Sequence, residues 1–176
     1  MIFLSSLKRL TICTTTVRQF SKESDLTHFR KLTNMYSKAP VSGLVNVHDN
    51  LEFEMDEKFP RAVLRMTSKE QFNHPGGSMH GVAYFKLLDD TAWFTAQALV
   101  NDNFIYTTSF VTYITRPVLT GTKLLAKGKI INATKTLIIA ESEIVEEDSG
   151  KLVASGSGTF QRGFVPLSEV PNYVKG

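Results

Sequence analysis

Residues 74–94 read HPGGSMHGVAYFKLLDDTAWF: a Pro-Gly-Gly break, a His-Gly pair, then an apolar helical pattern interrupted by two adjacent carboxylates. Pro75 and the paired glycines end regular structure, so a helix is predicted from about Gly81 to about Val100. At about 100° per residue, Val82, Phe85, Leu88, Ala92, Trp93, Ala96, Leu99 and Val100 fall in one broad arc. Ala83, Leu87, Phe94 and Ala98 cover much of the opposite side, which leaves a narrow strip of Lys86, Asp90 and Gln97 for solvent. A helix apolar around most of its circumference belongs inside a domain.

The two carboxylates part company on this wheel. Asp90 joins the polar strip and is expected to be a solvated surface charge, whereas Asp89 points into the apolar arc between Val82 and Ala96. Burying an unpaired carboxylate costs several kcal/mol or drives its pKa upward, so Asp89 is expected to have either a partner or a chemical task. The plain reading is that backbone or hydroxyl donors hold it at an interface. The chemical reading starts from Gly81, where first-turn N–H groups and the positive end of the helix dipole can hold a carbonyl oxygen as it gains charge. His80 and Asp89 are nine positions apart, about 900° of rotation and about 13 Å of rise, so within one helix they face opposite ways. A site using both ends joins the helix start of one subunit to Asp89 of another, which implies a symmetric dimer with two equivalent pockets.

The flanks are strand-like. Upstream, LVNVHDNLEFEMD (44–56) and RAVLRMTSKE (61–70) alternate apolar and polar residues, as half-buried strands do. Before them, Leu26, Phe29, Leu32 and Tyr36 have helical spacing, with Ser24 and Asp25 as candidate caps and Pro40 and Gly43 as stops. Downstream, FIYTTSFVTYITRP, TKLLAKGKIINAT, KTLIIAESEIVEE and KLVASGSGTFQRGF alternate again, with turns at Gly121 and EDSGK, spaced as a meander of antiparallel strands. The order predicts an α+β fold in which an antiparallel sheet wraps around or packs against one long helix. The expected organisation is a leader over residues 1–22, a helical segment over 23–43 and the main domain over 44–176.

The 176 residues, 42% hydrophobic and 21% charged, suit one domain with a real core, and no run approaches the roughly 20 apolar residues of a membrane-spanning helix. The single cysteine, Cys13, excludes an intrachain disulfide and a multi-cysteine zinc site. The four histidines form neither an H-E-x-x-H nor an H-x-H arrangement, so no metal is expected. The net charge of +3 resides in residues 1–22, which carry Lys8, Arg9, Arg18 and Lys22 and no acid. The rest holds 16 of the 20 basic side chains against all 17 acidic ones, so nucleic acid is not an expected partner. The leading segment, rich in Ser, Thr and Arg, has the composition of a mitochondrial transit peptide, and RQFS (Arg18–Ser21) resembles a matrix-precursor cleavage pattern. A secretory signal fits worse because Lys8 and Arg9 interrupt the apolar run; an unstructured polar tail is the plain alternative.

A His-Gly pair opening an apolar helix, an Asp nine residues after the His, and strands ending in Arg116-Pro117 resemble the hotdog-fold acyl-CoA thioesterases of the PaaI-like class. The resemblance spans about residues 40–164, and MHGVAYFKLLDDTAWF is especially similar to a subgroup carrying HG-x-x-YFKLLDD. It implies a hotdog fold, a curved antiparallel sheet around one long central helix. It also implies that the Gly81 N–H polarises a thioester carbonyl, that His80 shapes that loop and helps orient the acyl group, and that Asp89 acts from the other subunit as general base or nucleophile. Thr107 falls where many members carry a Ser or Thr that positions water; the plain reading is a strand-forming residue. Two positions depart from the family: many members have Asn six residues before the His, where this chain has His74 with Asn73 one step earlier, and Val82 replaces a usual second Gly. For coenzyme A, Arg116, Lys135 and Arg162 are the candidate phosphate contacts, each equally readable as a surface charge.

The expected function is a mitochondrial matrix thioesterase that hydrolyses an acyl-CoA, with the CoA thioester as substrate, no cofactor, and a homodimer or dimer of dimers as the assembly. The missing Asn keeps open a second reading, an inactive hotdog protein serving as an accessory subunit of a larger mitochondrial complex. A hotdog hydratase acting on enoyl thioesters fits the His-Gly to Asp spacing less well.

Overall fold

In the computed structural model, which describes residues 22–37, 48–56 and 58–173, α1 (Lys22–Ser37) precedes two strands, β1 (Asn50–Asp56) and β2 (Phe59–Thr67). Of the targeting segment expected over residues 1–22, residues 1–21 lie outside the described residues, as does the link over 38–47, while Lys22 opens α1. A single 3-10 turn (Glu70–Phe72) leads to the central helix, α2 (Gly81–Gln97). Four strands follow: β3 (Asn103–Ile114), β4 (Lys123–Ala133), β5 (Leu137–Glu146) and β6 (Leu152–Pro166). All six strands form one antiparallel sheet in the order β1-β2-β4-β5-β6-β3, with α2 packed across it. This is the α+β, hotdog arrangement expected from the sequence.

Alternation along the strands turns one row of each toward the helix. Leu124, Ala126 and Ile130 of β4, Ile138, Ala140 and Ile144 of β5, and Ala154 and Phe160 of β6 pack with Leu87, Leu88, Ala92, Phe94 and Ala96 of α2. At Gly128 helix and sheet approach so closely that a Cβ would lie 1.9 Å from Thr95 Oγ1 and 2.9 Å from the Thr91 carbonyl oxygen. The Thr95 hydroxyl uses this proximity, donating to Thr91 O at 2.7 Å and accepting from Ala62 N–H at 3.0 Å.

Three expectations are corrected. The meander comprises β4, β5 and β6 only, because β3 lies at the far edge beside β6. The segment 115–122 carries the chain across to β2, fastened by Met79 N–H to Val118 O at 2.8 Å and Ser68 N–H to Thr122 O at 2.9 Å, so β4 lands beside β2. Helix α1 begins at Lys22, which puts Ser24 and Asp25 inside its first turn rather than before it.

The third correction concerns the polar strip of α2. Asp90 is only 3% exposed and Gln97 fully buried, because α1 and Tyr173 cover that side. The Tyr36 hydroxyl donates to Asp90 Oδ1 at 2.6 Å, and the Lys86 ammonium bonds both groups. Gln97 donates to Val100 O and Asn103 O and accepts from Ile105 N–H, while its own carbonyl meets the His28 ring, which in turn bonds the Tyr173 hydroxyl. A helical wheel separates polar from apolar but does not register that a second helix can arrive carrying the matching polar groups. The opposite error occurs at the start of the apolar arc, where Val82 is 61% and Phe85 43% exposed.

Candidate active site

The break before α2 is a closed loop. Asn73 bridges Met79, His74 N–H donates to Ser78 O at 3.0 Å, and Gly77 N–H donates to His74 O at 3.0 Å. Gly77 turns the chain with φ of 82°, a conformation that side-chain-bearing residues rarely adopt. The His74 ring folds back over this loop, accepting from Gly76 N–H at Nδ1 (3.0 Å) and meeting Ser78 Oγ at Nε2 (3.0 Å).

His80 is the N-cap. Its backbone is extended (φ −71°, ψ 144°), its Nδ1 accepts from Val82 N–H at 3.1 Å, and its carbonyl accepts from Ala83 N–H at 2.9 Å. With those two donors satisfied, the Gly81 N–H is left with no protein acceptor among the described residues. It opens on a pocket of about 340 Å³ that His74, Ser78, Tyr84 and Arg116 help to line. Tyr84 fastens the helix start to the end of β3 by donating to Arg116 O at 3.1 Å.

Two turns along α2, Asp89 is half-buried and Thr107 of β3 donates to its Oδ1 at 3.1 Å. Burial raises the Asp89 carboxyl above the ordinary carboxylate range, against the opposing pull of the Thr107 hydroxyl and the Lys86 charge. The exposed Val82 and Phe85 precede it on α2, with Phe85 edge-on to Phe110 at 5.6 Å. The carboxylate therefore lies at the margin of an uncovered apolar face rather than deep in the core.

Within one chain Gly81 and Asp89 are eight residues apart, about 12 Å along the axis, too far to serve one carbonyl carbon. Gly81 is tied to the last residue of β3 and Asp89 to the first half of the strand. Asp89 meets Thr107, while a Cβ on Gly81 would lie 3.7 Å from Ile114 Cδ1, seven residues and about 24 Å further along the strand. Among the described residues only β6 pairs with β3, so its other edge is open, and Tyr106, Val111, Tyr113 and Ile114 are exposed along it.

The remaining candidates are dispersed. Asn73 Nδ2 donates to Thr120 Oγ1 at 2.9 Å, with its Oδ1 buried and unpaired. His74 and Arg116 lie beside Gly81, and Arg116 donates through Nε to Leu152 O at 3.1 Å. Arg162 is at the opposite end of β3, paired with Asp102 at 3.2 Å, and Lys135 lies in the adjoining β4–β5 turn. The sequence reading missed Ser78, whose signal was a hydroxyl four residues after a histidine in a glycine-rich break, and the Tyr36–Lys86–Asp90 cluster. Among the described residues no group of three or more His, Cys, Asp or Glu is arranged to hold a metal, and no helix is long and apolar enough to cross a membrane.

Comparison with known proteins adds the following. Residues 76–153 match the model of the thioesterase superfamily. The PaaI protein of the E. coli phenylacetic acid degradation operon superposes with a TM-score of 0.66 at 22% identity, over 81% of this chain and 97% of that one. Zebrafish thioesterase superfamily member 2 gives 0.63 at 19% identity, over 77% and 93%. A Streptococcus mutans protein bound to acetyl CoA gives 0.58 at 16% identity, over 68% and 93%. At these identities the likeness is one of fold. No curated protein sequence matches the chain.

Proposed function

Starting from a hotdog fold whose residues 76–153 match the model of the thioesterase superfamily, we propose that this chain hydrolyses an acyl-CoA to the free acid and coenzyme A at a site shared by two protomers. The observation that carries the reading is the placing of Asp89 and Gly81 seven residues apart along the open β3 edge, at Thr107 and Ile114. When two such edges pair antiparallel about a two-fold axis near the middle of the strand, the Thr107 end of one meets the Ile114 end of the other. That brings Asp89 of each protomer to its mate's Gly81 and makes two equivalent sites.

In each site the free Gly81 N–H donates to the thioester oxygen as that oxygen gains charge, while Asp89, its carboxyl raised by burial, takes a proton from the attacking water. The water oxygen bonds the carbonyl carbon, and the tetrahedral intermediate collapses with loss of the C–S bond. The departing coenzyme A sulfur takes up the proton held by Asp89, which closes the cycle without a metal or redox partner. Thr107 orients the carboxylate. The same pairing brings Arg116 of one protomer toward the Arg162 and Lys135 end of the other, a basic margin suited to the phosphates of coenzyme A. The acetyl CoA held by the Streptococcus mutans protein of like fold supports a CoA thioester as ligand.

Thiol release from a panel of short-chain, medium-chain and aryl acyl-CoAs tests the proposal. Wild type is expected to turn over at least one thioester, with kcat in Asp89→Asn falling by about a hundredfold or more. A wild type that leaves every thioester intact and elutes within a larger assembly would instead favour the accessory-subunit reading. The proposal extends to location, with residues 1–22 as a matrix-targeting segment. Those residues fused to a reporter are expected to direct it into isolated mitochondria, and a reporter left outside would refute that part.

A further inference from the structure

We infer that Ser78, oriented by His74, is a second hydrogen-bond donor to the substrate carbonyl, acting beside Gly81; this rests on the hydrolase reading above. The argument begins with a proton count on the His74 ring. Gly76 N–H is a donor and its bond ends on Nδ1, so Nδ1 is unprotonated and the ring proton sits on Nε2. The bond between Nε2 and Ser78 Oγ at 3.0 Å is therefore donated by histidine and accepted by serine. This excludes a Ser–His nucleophilic pair, because a ring that donates to the hydroxyl cannot take its proton. It also leaves the Ser78 hydroxyl proton free, since that hydroxyl makes no other hydrogen bond among the described residues.

The direction left for that proton is the pocket at the start of α2, which Ser78 and Gly81 both line. Two donors thus converge on one cavity, one from the backbone and one from a side chain whose orientation is set by the ring. The loop is built to hold the ring. A Cβ at Gly76 would lie 2.7 Å from His74 Cε1 and 2.9 Å from Nδ1, so the ring occupies the space a side chain would take. The Gly77 turn and the bond from His74 N–H to Ser78 O close the loop around it.

Two measurements separate this inference from the hydrolase reading. In thiol-release kinetics, Ser78→Ala is expected to raise KM about tenfold, through the lost bond to the ground-state carbonyl, and to lower kcat a further 10- to 100-fold, since the hydroxyl is strongest toward the developing oxyanion. Gly76→Ala, which displaces the His74 ring, is expected to lower kcat in the same way. In binding, the probe is an acyl-CoA analogue with methylene in place of sulfur, which keeps the carbonyl but cannot be hydrolysed. Ser78→Ala is expected to weaken that ketone about tenfold and to leave an S-alkyl CoA lacking the carbonyl unchanged. Ketone binding that depends on Ser78 in a protein without turnover upholds the carbonyl donor and refutes hydrolysis. Full turnover and unaltered ketone binding in Ser78→Ala overturn the inference and leave hydrolysis standing.

Discussion

Equimolar mixing of Asp89→Asn and Gly81→Pro, each inactive alone, is expected to restore about one quarter of wild-type turnover once protomers have exchanged. The fraction follows from symmetry. Random pairing makes half of the dimers mixed, and each mixed dimer has one site built from the intact Gly81 of one chain and the intact Asp89 of the other. Gly81→Pro is suited to this because it removes only the N–H in question. Proline is favoured at the first position of a helix, the extended His80 before it (φ −71°, ψ 144°) already has the backbone that a following proline requires, and a Cβ at 81 meets only Ile114 Cδ1 at ordinary contact distance. Loss of an oxyanion donor is expected to cost about 100- to 1000-fold in kcat, and loss of the base about as much or more. Asp89→Asn should melt no lower than wild type at neutral pH. The folded-state pKa of Asp89 is raised, so its contribution to stability is fully present below the unfolded pKa and is lost as pH rises through the folded value. Replacement by a neutral amide removes that loss. Mixed variants that stay inactive despite demonstrated exchange would place both groups in one chain's site or in none.

How far the sequence led depended on whether a residue's partner was local. The central helix, the six strand-forming runs and the Gly121 and Gly150 turns could be read because alternation, helical spacing and glycine placement are local signals. The position of β3 could not, because a run of alternating residues does not say which edge it will join, and β3 crosses to β6 over the intervening chain. The same limit explains Asp89 and Asp90. The wheel separated them correctly by angle but assigned their surroundings from α2 alone, whereas α1 covers Asp90 and the open β3 edge leaves Asp89 half-accessible. His74 was noticed for what it replaces. Its bonds to Gly76 and Ser78 could not be anticipated, because they depend on how the ring folds over the turn.

The largest effect on stability is expected from Lys86→Met, about 3 kcal/mol at pH 8, or a fall in Tm of roughly 6–12 °C. Lys86 is the positive member of a buried cluster in which its ammonium bonds both Asp90 and Tyr36, beneath the end of α1. Methionine fills similar space but leaves the Asp90 carboxylate with the Tyr36 hydroxyl as its one donor among the described residues and with Oδ2 already unpaired. Burial has pushed the Asp90 carboxyl up to about 6 even with Lys86 in place, and Asp89 nearby adds to the rise. A carboxyl whose pKa is higher folded than unfolded contributes stability that is fully present below the unfolded value of about 3.8 and is lost as pH rises through the folded one. Removing the ammonium moves the folded value higher still, so in Lys86→Met the loss extends further toward neutral pH. The deficit against wild type is therefore expected to be greatest at pH 8 and to shrink toward pH 5, where the carboxyl is mostly neutral. His48 reinforces this sign. Its ring lies 6.0 Å from that of Tyr36 and its pKa is held down to about 4, by burial first and then by the Lys86 charge, with Asp49 opposing. Without Lys86 it protonates more readily on the acid side and supplies part of the missing positive charge. Because Lys86 also draws the Asp89 carboxyl down, the acid limb of turnover is expected to move to higher pH in the same variant. Thermal unfolding and kcat against pH test the two effects together, and a deficit that is constant or larger at pH 5 would show that Asp90 does not carry the charge that Lys86 balances.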